Sequence, residues 1–272
     1  MNRILTLTSY LLRSLFTSLT GVIYLILTLA FWFILFNPRQ KTPEASYYIL
    51  VIGLFGAALV FLITLTNASR ANKAELAPWL VRLPSRIEYL TAVFLSSIIA
   101  AGILQLLLAL LSLISGPTLT FGQILGIPPV WLSTMVVTAV LALHATDLVT
   151  YGWSRVYVFG ILAILLFGRS ITNQSVSSFA STLSEMALNQ GWYEISESLR
   201  NFAVAQQGGD TNIISQLMGF VFWPFQALAD GISGGGFTAV AALAPAILLL
   251  YAAILFVLAA DFFAAKDMQM TE

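Results

Sequence analysis

The sequence predicts an all-α, polytopic membrane protein, from its composition and from the length of its apolar runs. Of the 272 residues, 59% are hydrophobic and only 9% are charged, whereas soluble domains carry about 25% charged residues. The mean hydropathy is +0.91. A soluble fold of this length would have to expose much of that apolar surface to water, so we expect the chain to form a single transmembrane domain over residues 1–272.

Charge and cysteine content exclude several classes of function. Acidic and basic side chains are equal in number, with 12 of each, so the net charge does not favour a nucleic-acid partner. The absence of cysteine excludes disulfides, thiolate metal sites and thiol catalysis. The sequence has no G-x-x-x-x-G-K-[ST] run that would bind ATP. We therefore expect no cofactor and no enzymatic activity in this chain.

The apolar runs predict six transmembrane helices, because a helix needs ~20 residues to cross the hydrocarbon core. The six predicted crossings are 16–36, 47–66, 89–115, 130–148, 156–168 and 237–263. The fourth is expected to begin after Pro128-Pro129. The fifth is short, since the 13 residues between Arg155 and Arg169 form only ~20 Å of helix. It either crosses with both arginines snorkelling, continues into the polar residues after Ser170, or fails to cross; we expect a crossing.

Three features inside the crossings predict how the helices pack. Gly53 and Gly56 have a spacing that allows a neighbouring helix to approach closely. Gln105 is expected to form a hydrogen bond between helices rather than to bind a substrate. Pro245 is expected to kink the sixth crossing.

The first fifteen residues mix apolar and polar side chains without a continuous apolar core. This pattern is typical of an amphipathic helix that lies on the membrane surface. The alternative is a simple extension of the first crossing.

The basic residues predict the orientation of the chain. With the amino terminus inside, eight of the twelve lie in cytoplasmic segments: Arg3, Arg13, Arg70, Lys73, Arg82, Arg86, Arg155 and Lys266. The other four lie outside: Arg39, Lys41, Arg169 and Arg200. We therefore expect a protein of the cell membrane (the inner membrane of a bacterium) with both termini in the cytoplasm.

The segment 67–88, NASRANKAELAPWLVRLPSRIE, is more than a simple loop. It carries four basic residues and a set of apolar side chains that includes Trp79. One interpretation is an anchor for anionic headgroups. The other is a docking surface for a protein, because an anchor alone would not need the interspersed Trp and Leu residues.

The outer segment 169–236 is too long for a plain connector. Its apolar residues recur at helical spacing on both sides of Gly191, which predicts two short amphipathic helices. The apolar run 213–223 covers about half a bilayer and is expected to be re-entrant or interfacial. This region either covers helix ends or forms an outer gate, for which the candidate residues are Phe222, Trp223, Pro224 and Phe225.

His144 and Asp147 form the one polar pair near a membrane helix that could carry chemistry. Their spacing puts them on one helical face, and ionisable residues within a membrane are candidates for function. They lie near the predicted cytoplasmic end of the fourth crossing, where water can reach them, and this is the only histidine. A metal site would need further ligands, so none is predicted.

The order of these features resembles the permease subunit of ABC-2 type transporters over essentially the whole chain. The most specific local feature is ELAPWL at 75–80 followed by LPSRIEYL at 83–90, which is similar to that family's "P-x-[SN]-R-x-E-Y" run before the third helix. The FWPF sequence at 222–225 is similar to the outer re-entrant segment of such permeases. Two features depart from the family pattern, namely Pro78 inside the presumed coupling helix and the short fifth crossing.

The resemblance implies that 67–88 is a coupling segment that docks on a separate ATP-binding subunit. Glu75, Trp79, Arg82 and Arg86 would belong to the docking surface. It further implies an exporter in which a second permease copy completes the pathway. The pathway would be lined by the first, second and fifth crossings and would suit a lipid-like, drug or peptide cargo. The alternative is a non-catalytic scaffold subunit of a respiratory or photosynthetic membrane complex.

Overall fold

The computed structural model describes residues 2–36, 44–69, 86–114, 116–146, 148–149, 184–185, 188, 193, 196–197, 200–201, 223–225, 227–232 and 241–265. Within these ranges every regular element is a helix and no strand occurs. The chain divides into two compact units, one of residues 1–158 with 227–272 and one of residues 159–226.

The helices of the first unit are α1 (Asn2–Phe16), α2 (Leu19–Leu35), α3 (Ala45–Ser69), α4 (Arg86–Leu113), α5 (Phe121–His144) and α6 (Ala244–Ala265). A short 3₁₀ helix, Ala241–Leu243, precedes α6. In the described part of the chain, α3, α4, α5 and α6 are each long and apolar enough to cross a membrane, and α1 with α2 passes the same test as a bent pair. The described residues therefore contain four candidate spans, or five with that pair. These residues do not test the prediction of six crossings, because the fifth predicted crossing, 156–168, lies outside the described residues.

The N-terminal helix is separated from α2 by a bend of 70°. At the bend, the Ser18 side chain caps α2 by accepting a hydrogen bond from the Gly21 amide. A Cβ atom at Gly21 would collide with the carbonyl oxygen of Leu15, so this tight approach requires glycine. The bend is incompatible with a straight continuation of the first crossing into residues 2–15.

Helix α3 packs against both α4 and α5. Gln105 of α4 donates a hydrogen bond from Nε2 to the carbonyl oxygen of Ile52, 3.1 Å away, and its amide lies against Gly56. Trp131 of α5 donates from Nε1 to the carbonyl oxygen of Ile49 at 2.9 Å and lies against Gly53. The predicted roles of both glycines and of Gln105 are thus confirmed.

Two predicted helix starts are wrong. Helix α5 begins at Phe121 rather than after the two prolines, because Thr120 and Gln123 form a capping box that starts the helix earlier. Pro128 and Pro129 then lie inside the helix, which membrane helices tolerate. Pro245 does not kink α6 from within. It lies in the first turn, where a proline fits because no helical hydrogen bond is lost.

Candidate functional site

Most of the predicted docking residues cannot be placed. Glu75, Trp79 and Arg82 lie outside the described residues, which end at Ser69 and resume at Arg86. Arg86 is the first residue of α4, and its side chain is not among those described. What the structure does give is the pair of helix ends between which the coupling segment runs.

These two helix ends are joined by a buried polar contact. The side chain of Asn67, fully buried near the end of α3, donates from Nδ2 to the hydroxyl oxygens of Ser96 and Ser97 on α4, at 3.2 and 3.3 Å. Both hydroxyls in turn donate to the carbonyl oxygen of Val93. Interhelical hydrogen bonds of this kind stabilise membrane helix pairs by about 0.6 kcal/mol on average. The contact fixes the end of α3, where the coupling segment begins, against α4 about three turns after Arg86.

Glu88 is a candidate residue that the sequence reasoning passed over in favour of Arg86. It lies in the first turn of α4, where the helix dipole favours an acid. Its Oε2 atom is shielded from solvent and has no hydrogen-bond partner among the described residues. A carboxylate oxygen in this position can accept a hydrogen bond from a cationic side chain that approaches the start of α4. The scarcity of acids in the spans is the sequence signal that could have identified it.

The apolar face of α1 packs on this same region. Leu11, which is 1% exposed, belongs to one buried cluster with Tyr89 and Leu90 of α4, Leu143 of α5 and Phe263 of α6. We call this end of the bundle the α3–α4 end. Helix α1 contacts the first turns of α4, and the cluster extends to the ends of α5 and α6. Because the cluster is closely packed, a displacement of the start of α4 would also shift the side chains of α1, α5 and α6 that contact it.

His144 is placed at the end of α5 by the structure. Its Nε2 atom lies 2.9 Å from the carbonyl oxygen of Leu255 on α6, so the imidazole connects two helices. Asp147 lies outside the described residues, and the predicted pair cannot be examined. The described residues contain no group of three or more His, Cys, Asp or Glu side chains that could hold a metal ion.

The second unit contains the described residues of the outer segment up to Phe225, and residues 227–232 belong to the first unit. Helical residues on the two sides of Gly191 are connected through Ser184, whose hydroxyl donates to the carbonyl oxygen of Ser196 at 2.9 Å. Residues 223–225 are helical, with Pro224 buried and Trp223 and Phe225 half-buried. Phe222, the remaining gate candidate, lies outside the described residues.

Comparison of the chain with protein-family models, with curated proteins and with solved structures gave no match.

Proposed function

We propose that the chain is the permease subunit of an ATP-driven ABC-2 type exporter. In this role it couples to a separate ATP-binding subunit and forms half of a translocation pathway with a second permease copy. The observation that carries the proposal is the packing at the α3–α4 end. There the coupling segment leaves α3 and enters α4 directly beside the apolar face of α1.

Three further observations support a coupling role for this end. The segment between α3 and α4 has the basic and aromatic composition of a docking surface. The first turn of α4 carries Glu88, whose solvent-shielded Oε2 atom has no hydrogen-bond partner in the described chain. The Asn67 contact holds α4 against α3. A movement of the ATP-binding subunit that pulls on the coupling segment would therefore move the two helices together.

The exposure of α2 agrees with a second copy in the assembly. Only Gly21, Tyr24 and Thr28 of this helix are buried, and its large side chains such as Phe33 and Ile34 are exposed at 66% and 72%. A helix with apolar residues on nearly all sides is covered by lipid or by protein. In the proposed dimer, the open face of α2 lies toward the pathway or the partner copy, and lipids cover the rest.

The test is co-purification of the tagged chain from its native membrane in mild detergent, with mass spectrometry of the chains that accompany it. We expect a stoichiometric subunit that contains a P-loop. Its recovery should fall with Glu75→Ala, Arg86→Ala or Glu88→Gln, and should persist with Arg200→Ala, which removes an exposed basic residue outside the coupling segment.

Two outcomes would contradict the proposal. Recovery of haem or pigment proteins in place of an ATPase would favour the scaffold alternative. Equal recovery of the ATPase with all four variants would show that the coupling segment and the start of α4 do not belong to the docking surface.

A further inference from the structure

A cavity of about 440 Å³ lies at the end of the first unit opposite the α3–α4 end. Its wall includes Ser46 and Ile49 from the start of α3, Ile127 and Val130 from the first half of α5, and Pro245 from the first turn of α6. Gly231 and Ile232 also line it. Ligand sites in proteins have volumes of this order. The cavity is separate from the coupling segment and from every residue discussed above as a candidate for ATPase docking.

The lining becomes less polar with distance from the helix starts. Ser46 and Thr120 lie at the starts of α3 and α5, and each contributes a hydroxyl group. Further along the helices, Ile49, Ile127 and Val130 contribute buried apolar side chains. None of the described residues that line the cavity is charged. The wall therefore suits a neutral, apolar chain whose more polar end lies at the helix starts.

The surroundings of the cavity are apolar as well. Phe121 and Leu125 on α5, and Leu243 just before α6, do not line it and are exposed at 76%, 61% and 57%. Large apolar side chains exposed at the ends of candidate spans face hydrocarbon rather than water. The nearest source of a ligand for the cavity is thus the bilayer itself.

We propose that this cavity binds one acyl chain of a membrane lipid, with the ester region near Ser46 and Thr120 and the chain along Ile49, Ile127 and Val130. A volume of 440 Å³ has room for an acyl chain. An apolar cavity of this size left empty would forfeit dispersion contacts along its wall. The proposal requires only that the helices lie in a membrane, and it does not depend on an ATPase partner.

The test uses the full chain in phosphatidylcholine vesicles that contain a phosphatidylcholine with a diazirine on one acyl chain. After irradiation, mass spectrometry maps the labelled residues. We expect label at Ile49, Ile127 and Val130. In Gly122→Phe this label should fall several-fold, because Gly122 lines the cavity and a Cβ atom there meets nothing within 4 Å, so the ring can enter the space. Leu125→Phe is the matched control, as it adds the same ring to the same helix at a position outside the lining, and it should keep the label.

Equal label in the wild type and in Gly122→Phe would overturn the proposal, as would label confined to outward-facing residues such as Leu125. Thermal unfolding of each variant in detergent shows whether it is folded, and Gly122→Leu repeats the test with a smaller side chain. None of these outcomes depends on recovery of an ATP-binding subunit, so this proposal and the transporter proposal can fail independently.

Discussion

Helices α3 and α6 are both long and apolar, but they are held in the bundle in different ways. In the most apolar 18-residue stretch of α3, 50% of the residues are buried within the protein, against 22% for α6. Helix α3 accepts hydrogen bonds on its backbone from Gln105 and Trp131, and its Asn67 side chain donates to the hydroxyl groups of Ser96 and Ser97. For α6, the described polar contact with a neighbouring helix is the one between His144 and the Leu255 carbonyl group.

The difference shows what apolarity alone does not specify. In a bilayer, lipid is as apolar as leucine, so hydrophobicity places a helix in the membrane but does not bring two helices together. Helix α3 is held to α4 and α5 by close approach at its glycines and by interhelical hydrogen bonds. Helix α6 lacks comparable contacts over much of its length and leaves its large side chains for lipid or for another chain.

Among the contacts that hold α3, the largest effect is expected where Gly56 lies against the amide of Gln105 on α4. Gly56→Ala should lower the free energy of unfolding by about 1–3 kcal/mol, because a Cβ atom at this position would collide with the buried amide of Gln105. Displacing the amide also breaks its bond to Ile52. The measurement is unfolding in detergent by heat or by denaturant.

A double-mutant cycle sharpens this prediction. In a Gln105→Ala background the added methyl group has room, so Gly56→Ala should cost much less there. Gly102→Ala is the matched control, since its Cβ atom would meet only Met135, at the ordinary contact distance of 3.7 Å. Additive losses in the cycle would show that the contact between Gly56 and Gln105 does not hold the two helices together.

The sequence allowed this contact to be anticipated, whereas other parts of the fold could not be. Gln105 stands out because amide-bearing residues are rare in apolar runs, and Gly53 and Gly56 stand out because their spacing allows a neighbouring helix to approach closely. The start of α5 was missed because the two prolines are a stronger local signal than the capping box formed by Thr120 and Gln123.

For the candidate site, the sequence predicted a region but none of its contacts. The basic composition of 67–88 predicted a functional segment. It gave no indication that Asn67, which was counted as part of that segment, is fully buried at the end of α3. The cavity was likewise invisible in the sequence, because its lining comes from residues far apart along the chain that only tertiary packing brings together.

A smaller effect is expected at the other polar contact of α3. Asn67→Ala should lower the free energy of unfolding by about 1 kcal/mol, within the range of membrane interhelical hydrogen bonds. The loss is limited because Ser96 and Ser97 keep their bonds to the Val93 carbonyl group. Ser69→Ala is the control at the same end of α3, where an exposed hydroxyl donates to the Thr66 carbonyl oxygen of its own helix, and it should leave stability unchanged. An equal loss in both variants would mean that the Asn67 bond adds nothing specific.

The smallest effect is expected on the open face of α6. Leu250→Ala should change the free energy of unfolding in detergent by less than about 0.5 kcal/mol, because this side chain is 58% exposed and has few contacts to lose. Leu248→Ala, two positions earlier on the same helix, removes a side chain that is 1% exposed and should cost about 2–5 kcal/mol. If Leu250→Ala proves as costly as Leu248→Ala, the open face of α6 is covered by protein in the purified particle. The exposed face of α6 would then be an interface between chains. Helices α3 and α6 would both be covered by protein, α3 by helices of its own chain and α6 by another chain.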